Sequence, residues 1–199
     1  MVGRPRSTEA DHAILDAAIV EYGKGGLDGL NVDAVAARAG VSKATIYRRY
    51  PSKVDLVIAA AQLMCEENAP DLNTGTVRGD LLATLRNLRR MLEDPVLGAA
   101  KRMLVMDALQ NEELAGMHAG LVATRRQHTM EMLHAAAARG ELRDDIDLEF
   151  ATDQIGAPVF YRHLLMHEKV TDAYIEQVVD AFVERYCVSE IVVGSARTS

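Results

Sequence analysis

The sequence has no tryptophan, three phenylalanines and two cysteines among its 199 residues. Two cysteines, Cys65 and Cys187, make no disulfide framework; each reads as a small buried apolar residue in a reduced, cytoplasmic setting. No stretch approaches the ~20 apolar residues that a membrane-spanning helix needs. The N-terminal "MVGRPRSTEADHAI" follows its basic residues with no apolar run, so no secretory signal and no membrane partner are expected. The strict apolar–polar alternation of β-strands is missing. So are a serine-histidine-aspartate elbow, a phosphate loop and an HExxH pair, and no enzyme is expected. His163 and His167 are four apart with Glu168 beside them, but two histidines without a third firm ligand imply no metal site, and nothing else calls for a cofactor.

What is present is alanine, leucine, methionine and charge, a helical composition in which 49% of residues are hydrophobic. Charge is uneven. Residues 1–53 hold eight Lys/Arg and six Asp/Glu, against 14 and 23 in residues 54–199, within a chain of net charge −7. A small anion-binding module on an acidic body is the simplest reading, with boundaries at 1–53 and 54–199.

About nine helices are expected. Thr8 and Asp11 stand at capping-box spacing before Ile14, Leu15, Ala18, Ile19 and Tyr22, and Gly23, Gly25 and Gly26 close that helix. Asn31 caps the second, whose apolar side is Val32, Val35, Ala36 and Ala39, and Gly40 supplies a left-handed turn. Ser42 caps a short third helix, "KATIYRRY", and Pro51 closes it. Ser52 and Asp55 form a second capping box for a fourth helix from Lys53 to about Glu67. After a loop at "NAPDLNTG", a fifth helix covers roughly 76–93, and Asp94-Pro95 starts a sixth. Asn111 caps a seventh ending near Gly140, "RDDIDLEF" begins an eighth, and Thr171-Asp172 begins a ninth that reaches Cys187. The tail "VVGSARTS" is expected to fray.

The second and third helices with their glycine turn form a helix-turn-helix, with Ala36, Gly40, Val41 and Ile46 at the spacing that motif uses. If Ile46 is buried, Ala44 and Arg48 lie about 160° and 200° around the third helix from it, and Thr45 and Tyr47 about 100° to either side. Such a face fits a major groove, where Arg48 can read guanine and Ala44 and Thr45 can touch thymine methyls. Tyr47 and Tyr50 offer hydroxyls to phosphates, with packing of the domain as the competing role for both. Lys53 sits where a helix N-terminus favours anions.

Residues from about 10 to 60 resemble the DNA-binding domain of the TetR/AcrR family of transcriptional regulators, and "GVSKATIYRRYPSKVDL" matches its signature region. The resemblance implies a three-helix DNA-binding domain followed by a larger helical domain for ligand binding and dimerisation. It places Ser42, Lys43, Thr45, Tyr47, Tyr50 and Lys53 at positions that commonly meet DNA. Arg4 and Arg6, in "GRPR", resemble the basic arms that enter a minor groove, with an ordinary solvated N-terminus as the alternative.

Beyond residue 70 the resemblance is looser, although "DQIGAPVFYRHLLMHEKVTDAYIEQVVDAFVERY" looks like the last two helices of one large subgroup. There the resemblance implies a homodimer through a four-helix bundle. Gly156, Val159, Tyr174, Val178, Phe182 and Tyr186 are its candidate interface residues. Methionines adapt to varied apolar shapes. Met64, Met91, Met103, Met106 and Met117, with Leu121, Arg125 and Tyr161, are candidates to line an apolar effector pocket. The expected protein is a homodimeric, ligand-responsive regulator of a near-palindromic DNA operator, most simply a repressor released by a small apolar molecule. A DNA-binding dimer whose larger domain serves only dimerisation or protein partners stays open as the alternative.

Overall fold

A computed structural model describes residues 5–67 and 74–188, with side chains from Thr8 onward. Among the described residues there are nine α-helices: α1 (Pro5–Gly29), α2 (Val32–Ala39), α3 (Lys43–Arg49), α4 (Lys53–Glu67), α5 (Val77–Glu93), α6 (Leu97–Ala108), α7 (Glu112–Ala138), α8 (Leu148–Phe160) and α9 (Asp172–Tyr186). A π-helical turn, Tyr161–Leu165, follows α8. The one β feature among these residues is an isolated antiparallel bridge between Leu142 and Cys187. None of the described helices is long and apolar enough to cross a membrane.

Most helix starts follow from their caps. Asn31 Oδ1 accepts from the amides of Asp33 and Ala34, Asn111 Oδ1 from Leu114, Asp147 from Phe150 and Thr171 from Tyr174. At α4 the capping box is reciprocal. Ser52 Oγ accepts from the Asp55 amide at 3.0 Å, and Asp55 Oδ2 accepts from the Ser52 amide at 3.0 Å. Such caps satisfy amides that the first helical turn would otherwise leave without partners.

Three boundaries differ from expectation. First, α1 begins at Pro5 and not at Thr8, because proline fits the first helical position, where its missing N–H costs nothing. Arg6 therefore stands in the first turn of a helix and not in a free arm, while Arg4 lies outside the described residues, as do 68–73 of the loop and the tail from 189. Second, α1 passes through Gly23 and breaks only at Gly25–Gly26, where the backbone leaves helical geometry. Third, α6 runs from Leu97. Asp94 Oδ1 still accepts from the amides of Val96 and Leu97, so the aspartate caps the turn that leads into the helix.

The chain divides into two compact units. One comprises residues 1–69 and 91–122, the other 70–90 and 123–199. The first has a continuous apolar core in which Ile14, Ala18, Tyr22, Val35, Ile46, Leu56, Ala60, Met64, Leu104 and Leu114 are buried together. The helix-turn-helix thus shares its core with α6 and the start of α7. In the second unit α5, α7, α8 and α9 bury Leu81, Leu85, Leu133, Ile155, Val159, Ile175 and Val179. Its ends are tied by Glu141, which accepts from the Val77 amide at 2.6 Å, while its carbonyl accepts from Val188. Cys187 is buried, and burial pushes its thiol up to about 11, which leaves it an unreactive apolar group. Cys65 is half-buried.

Ser52→Ala removes the hydroxyl from the capping box and should destabilise the protein by about 1 kcal/mol. The midpoint of thermal unfolding is then expected to fall by about 2–4 °C. A midpoint equal to that of the parent would show that the box contributes nothing to the start of α4.

Candidate nucleic-acid interface

The turn between α2 and α3 is closed by two backbone bonds. The Gly40 N–H returns to Ala37 O and the Val41 N–H to Ala36 O at 3.1 Å, the pattern of a Schellman turn. Gly40 holds φ 66°, a left-handed geometry that glycine adopts without a Cβ penalty. Ser42 then caps α3, its Oγ accepting from the Thr45 amide at 3.1 Å and lying 2.9 Å from Thr45 Oγ1. At the far end the Tyr50 amide closes on Ile46 O.

Burial of Ile46, 1% exposed, fixes the rotation of α3. Ser42, Lys43, Ala44, Tyr47 and Arg48 are then exposed and Thr45 half-exposed, as the helical angles predict. The cations on this segment differ in their engagement. Lys43 Nζ lies 2.9 Å from Asp33 Oδ2 on α2, and that hydrogen bond raises its pKa. Arg49 turns inward to Asp11 of α1. Arg48 and Lys53 make no hydrogen bond or ion pair among the described residues, and Lys53 opens α4, where the helix dipole favours an anion. Tyr50 is half-buried and packs against the core of the unit; burial first, then the Asp11 carboxylate, raises its phenol pKa. Tyr50 therefore helps to hold α3 down, whereas Tyr47 is 39% exposed. The sequence did not signal that Asp33 and Asp11 would hold Lys43 and Arg49, because both pairs join different helices.

The remaining candidates fall in different places. Met64 and Met91 are buried, Met103, Met117 and Leu121 are partly buried against the first unit's core, and Met106 is 53% exposed. Met64 also borders a cavity of about 170 Å³ in that unit, with Leu15, Ile19, Ala60, Leu63 and Leu97. Arg125 and Tyr161 belong to the second unit, where Arg125 lies over the Phe160 ring. Tyr161 lines an open, largely apolar groove of about 750 Å³ formed by α5, α8 and α9. Tyr174, Val178 and Phe182 line the same groove. Val159, Phe182 and Tyr186 are buried within this chain, with the Phe182 and Tyr186 rings 4.9 Å apart, whereas Tyr174 and Val178 are half-buried and Ala181 is exposed. Gly156 is half-buried, 3.9 Å from Leu88 for an added Cβ. His163 sits in the π-helical turn and His167 beyond it at φ 55°, so the two do not share a helical face. Pro158 lies three residues before that turn and lacks one α-helical backbone bond.

A capped recognition helix, pinned by one buried isoleucine and presenting an arginine, a tyrosine and small side chains, defines a helix-turn-helix DNA-binding protein. The description "Bacterial regulatory proteins, tetR family" matches residues 14–60, and "Tetracyclin repressor-like, C-terminal domain" matches residues 70–182. The chain belongs to the TetR family: it is a DNA-binding transcriptional regulator and not an enzyme. It is 31% identical over 189 residues to the DNA-binding transcriptional repressor TetR of Mycobacteroides abscessus, covering 90% of this chain and 94% of that one. Among solved structures it is similar to the TetR family transcription regulator SCO0332, at 30% identity and a TM-score of 0.71 over 90% of this chain and 100% of that chain. The fold is also that of the transcriptional regulator FadR from Bacillus subtilis in complex with stearoyl-CoA, at 20% identity, a TM-score of 0.71, and coverage of 86% and 97%.

The charge pattern makes a paired prediction. Lys53→Ala should make the fall of log affinity for DNA with log salt shallower by about 1 unit of slope. Asp33→Asn, which frees Lys43, should strengthen binding and steepen that slope by up to about 0.9. Fluorescence anisotropy with a duplex selected by the protein from a random pool measures both. Unchanged slopes in the two variants would contradict this assignment of the cations.

Proposed function

We propose that the protein is a homodimeric repressor that acts in the cytoplasm on a near-palindromic operator and is released from it by a small apolar molecule. Support for DNA recognition by Ser42, Lys43, Ala44, Thr45, Tyr47 and Arg48 is their common exposure around buried Ile46. Lys53 and Tyr47 are assigned to phosphates, and Arg48 to a base edge. The repressor reading follows the Mycobacteroides abscessus relative.

The groove along α8 and α9 supports the dimer. It is lined by Leu81, Leu85, Pro158, Tyr174, Val178 and Ala181, an apolar strip that a second copy would cover about a two-fold axis. Such an axis presents two recognition helices to successive major grooves and so requires a near-palindrome. Val178→Asp is the suitable probe, because Val178 is only half-buried while Phe182 belongs to the chain's own core. The variant should sediment as a monomer and the parent as a dimer. A parent that sediments as a monomer at micromolar concentration would contradict the assignment.

The observation that carries the effector reading is the shared core. Met64, Met103, Met117 and Leu121 pack in or against the same cluster that holds Ile46. A molecule that wedges among these side chains displaces α4, α6 or the start of α7 and with them the seat of α3. The bound-stearoyl-CoA structure of FadR supports an apolar ligand class by analogy of fold. An effector must bind the DNA-free form more tightly, and DNA then weakens effector binding by the same factor, about 5- to 150-fold for a coupling of ~1–3 kcal/mol. Titration of fatty acyl and other lipophilic compounds with and without duplex checks this. A compound that fills the site with equal affinity in both titrations would refute the coupling.

A further inference from the structure

Asp107, on the last turn of α6, makes contacts that the roles above leave unexplained. Its Oδ2 accepts from the Tyr22 hydroxyl at 2.8 Å and from the Leu27 backbone amide at 2.8 Å. Both donors flank the break in α1. Gly26, between them, holds φ 65° and ψ −158°, a region essentially restricted to glycine. A Cβ on Gly26 would lie 2.9 Å from Asp107 Oδ2, so the missing side chain is what admits the carboxylate. Tyr22 is 2% exposed, and burial together with the Asp107 carboxylate keeps its phenol protonated and donating.

The same residue also closes the next junction. The Asp107 carbonyl accepts from the amides of Gln110 at 3.0 Å and Asn111 at 2.9 Å, and Asn111 in turn caps α7. Four residues beyond Leu27, Asn31 opens α2 of the helix-turn-helix. One aspartate therefore joins the α6–α7 corner, by its backbone, to the segment that leads into the DNA-reading helices, by its side chain.

We propose that Asp107 is a positioning residue for DNA binding: its carboxylate latches the Gly25–Gly26 break of α1 to the end of α6 and so sets where α2 and α3 stand. With the latch closed, the exit of α1 has one geometry, and DNA meets a recognition helix already in place. With the latch open, the Gly25–Gly26 break becomes a hinge, and binding must supply the order that the latch gave. A side chain that only filled space would not need an acceptor oxygen; the latch does.

The test uses the full-length protein with Asp107→Leu, Asp107→Asn and Tyr22→Phe, and a duplex selected by the parent from a random pool. Leucine keeps the branched shape, in a bulkier form, and removes the acceptor, whereas asparagine is isosteric and keeps one carbonyl oxygen able to accept from both donors. Hydrogen exchange of the Leu27 amide reads the latch without DNA. Asp107→Leu should speed that exchange and weaken duplex binding about tenfold, and Tyr22→Phe should weaken it about threefold, smaller than the full worth of the bonds lost, because only the reordering of the hinge falls on binding. Asp107→Asn should stay near the parent in both readings. Faster Leu27 exchange with unchanged duplex affinity in Asp107→Leu would overturn the proposal, as would equal loss of affinity in the leucine and asparagine variants. If Asp107→Leu does not fold, parental affinity in Tyr22→Phe is the overturning result.

Discussion

A seven-residue helix does not hold itself together in water, because its few backbone bonds do not repay the cost of nucleation. Everything the protein does with DNA therefore depends on the core that holds α3, and α3 enters that core chiefly through Ile46. Truncating such a side chain costs about 2–5 kcal/mol, a large share of a domain's stability. The core is not confined to the first three helices. Leu104 and Leu114 belong to it, so the core that receives the recognition helix includes residues about sixty positions away in sequence.

Electrostatics then decide what the seated helix can meet. The chain is acidic overall, and many cations among the described residues are held by carboxylates: Arg49 by Asp11, Lys43 by Asp33, Arg126 by Glu149 and Asp153. Arg48 and Lys53 stand apart from this pattern on the face opposite Ile46 and at the start of α4. An acidic surface elsewhere repels a polyanion and an exposed basic face attracts it, so charge orients the encounter as well as strengthening it. Among the described residues the carboxylate of Asp107 takes no cation and accepts two neutral donors instead, which fits a geometric role and not one in charge balance.

Much of this was legible in the sequence, for local reasons. Caps are short-range chemistry, and Asn31, Ser42, Ser52, Asn111 and Thr171 mark the helices they begin. The face of α3 follows from one buried residue and helical geometry. What the sequence concealed depends on pairings between distant helices. Periodicity cannot reveal that Asp107 meets Leu27, that Met106 faces outward while Met103 packs inward, or that Phe182 is consumed by its own chain. Nor can it show that helices α6 and α7 share the core of the DNA-binding helices, because apolar stripes state that a face is buried and not against what.

On this arrangement α3 should fold and open as part of one cooperative unit with α1, α4 and α6. Native-state hydrogen exchange across a low-denaturant series measures this directly. The account predicts that the Ile46 and Tyr50 amides of the recognition segment share one opening free energy with protected amides of α1, α4 and α6. Exchange of the α3 amides through a separate, lower-energy opening, with α6 still protected, would contradict it.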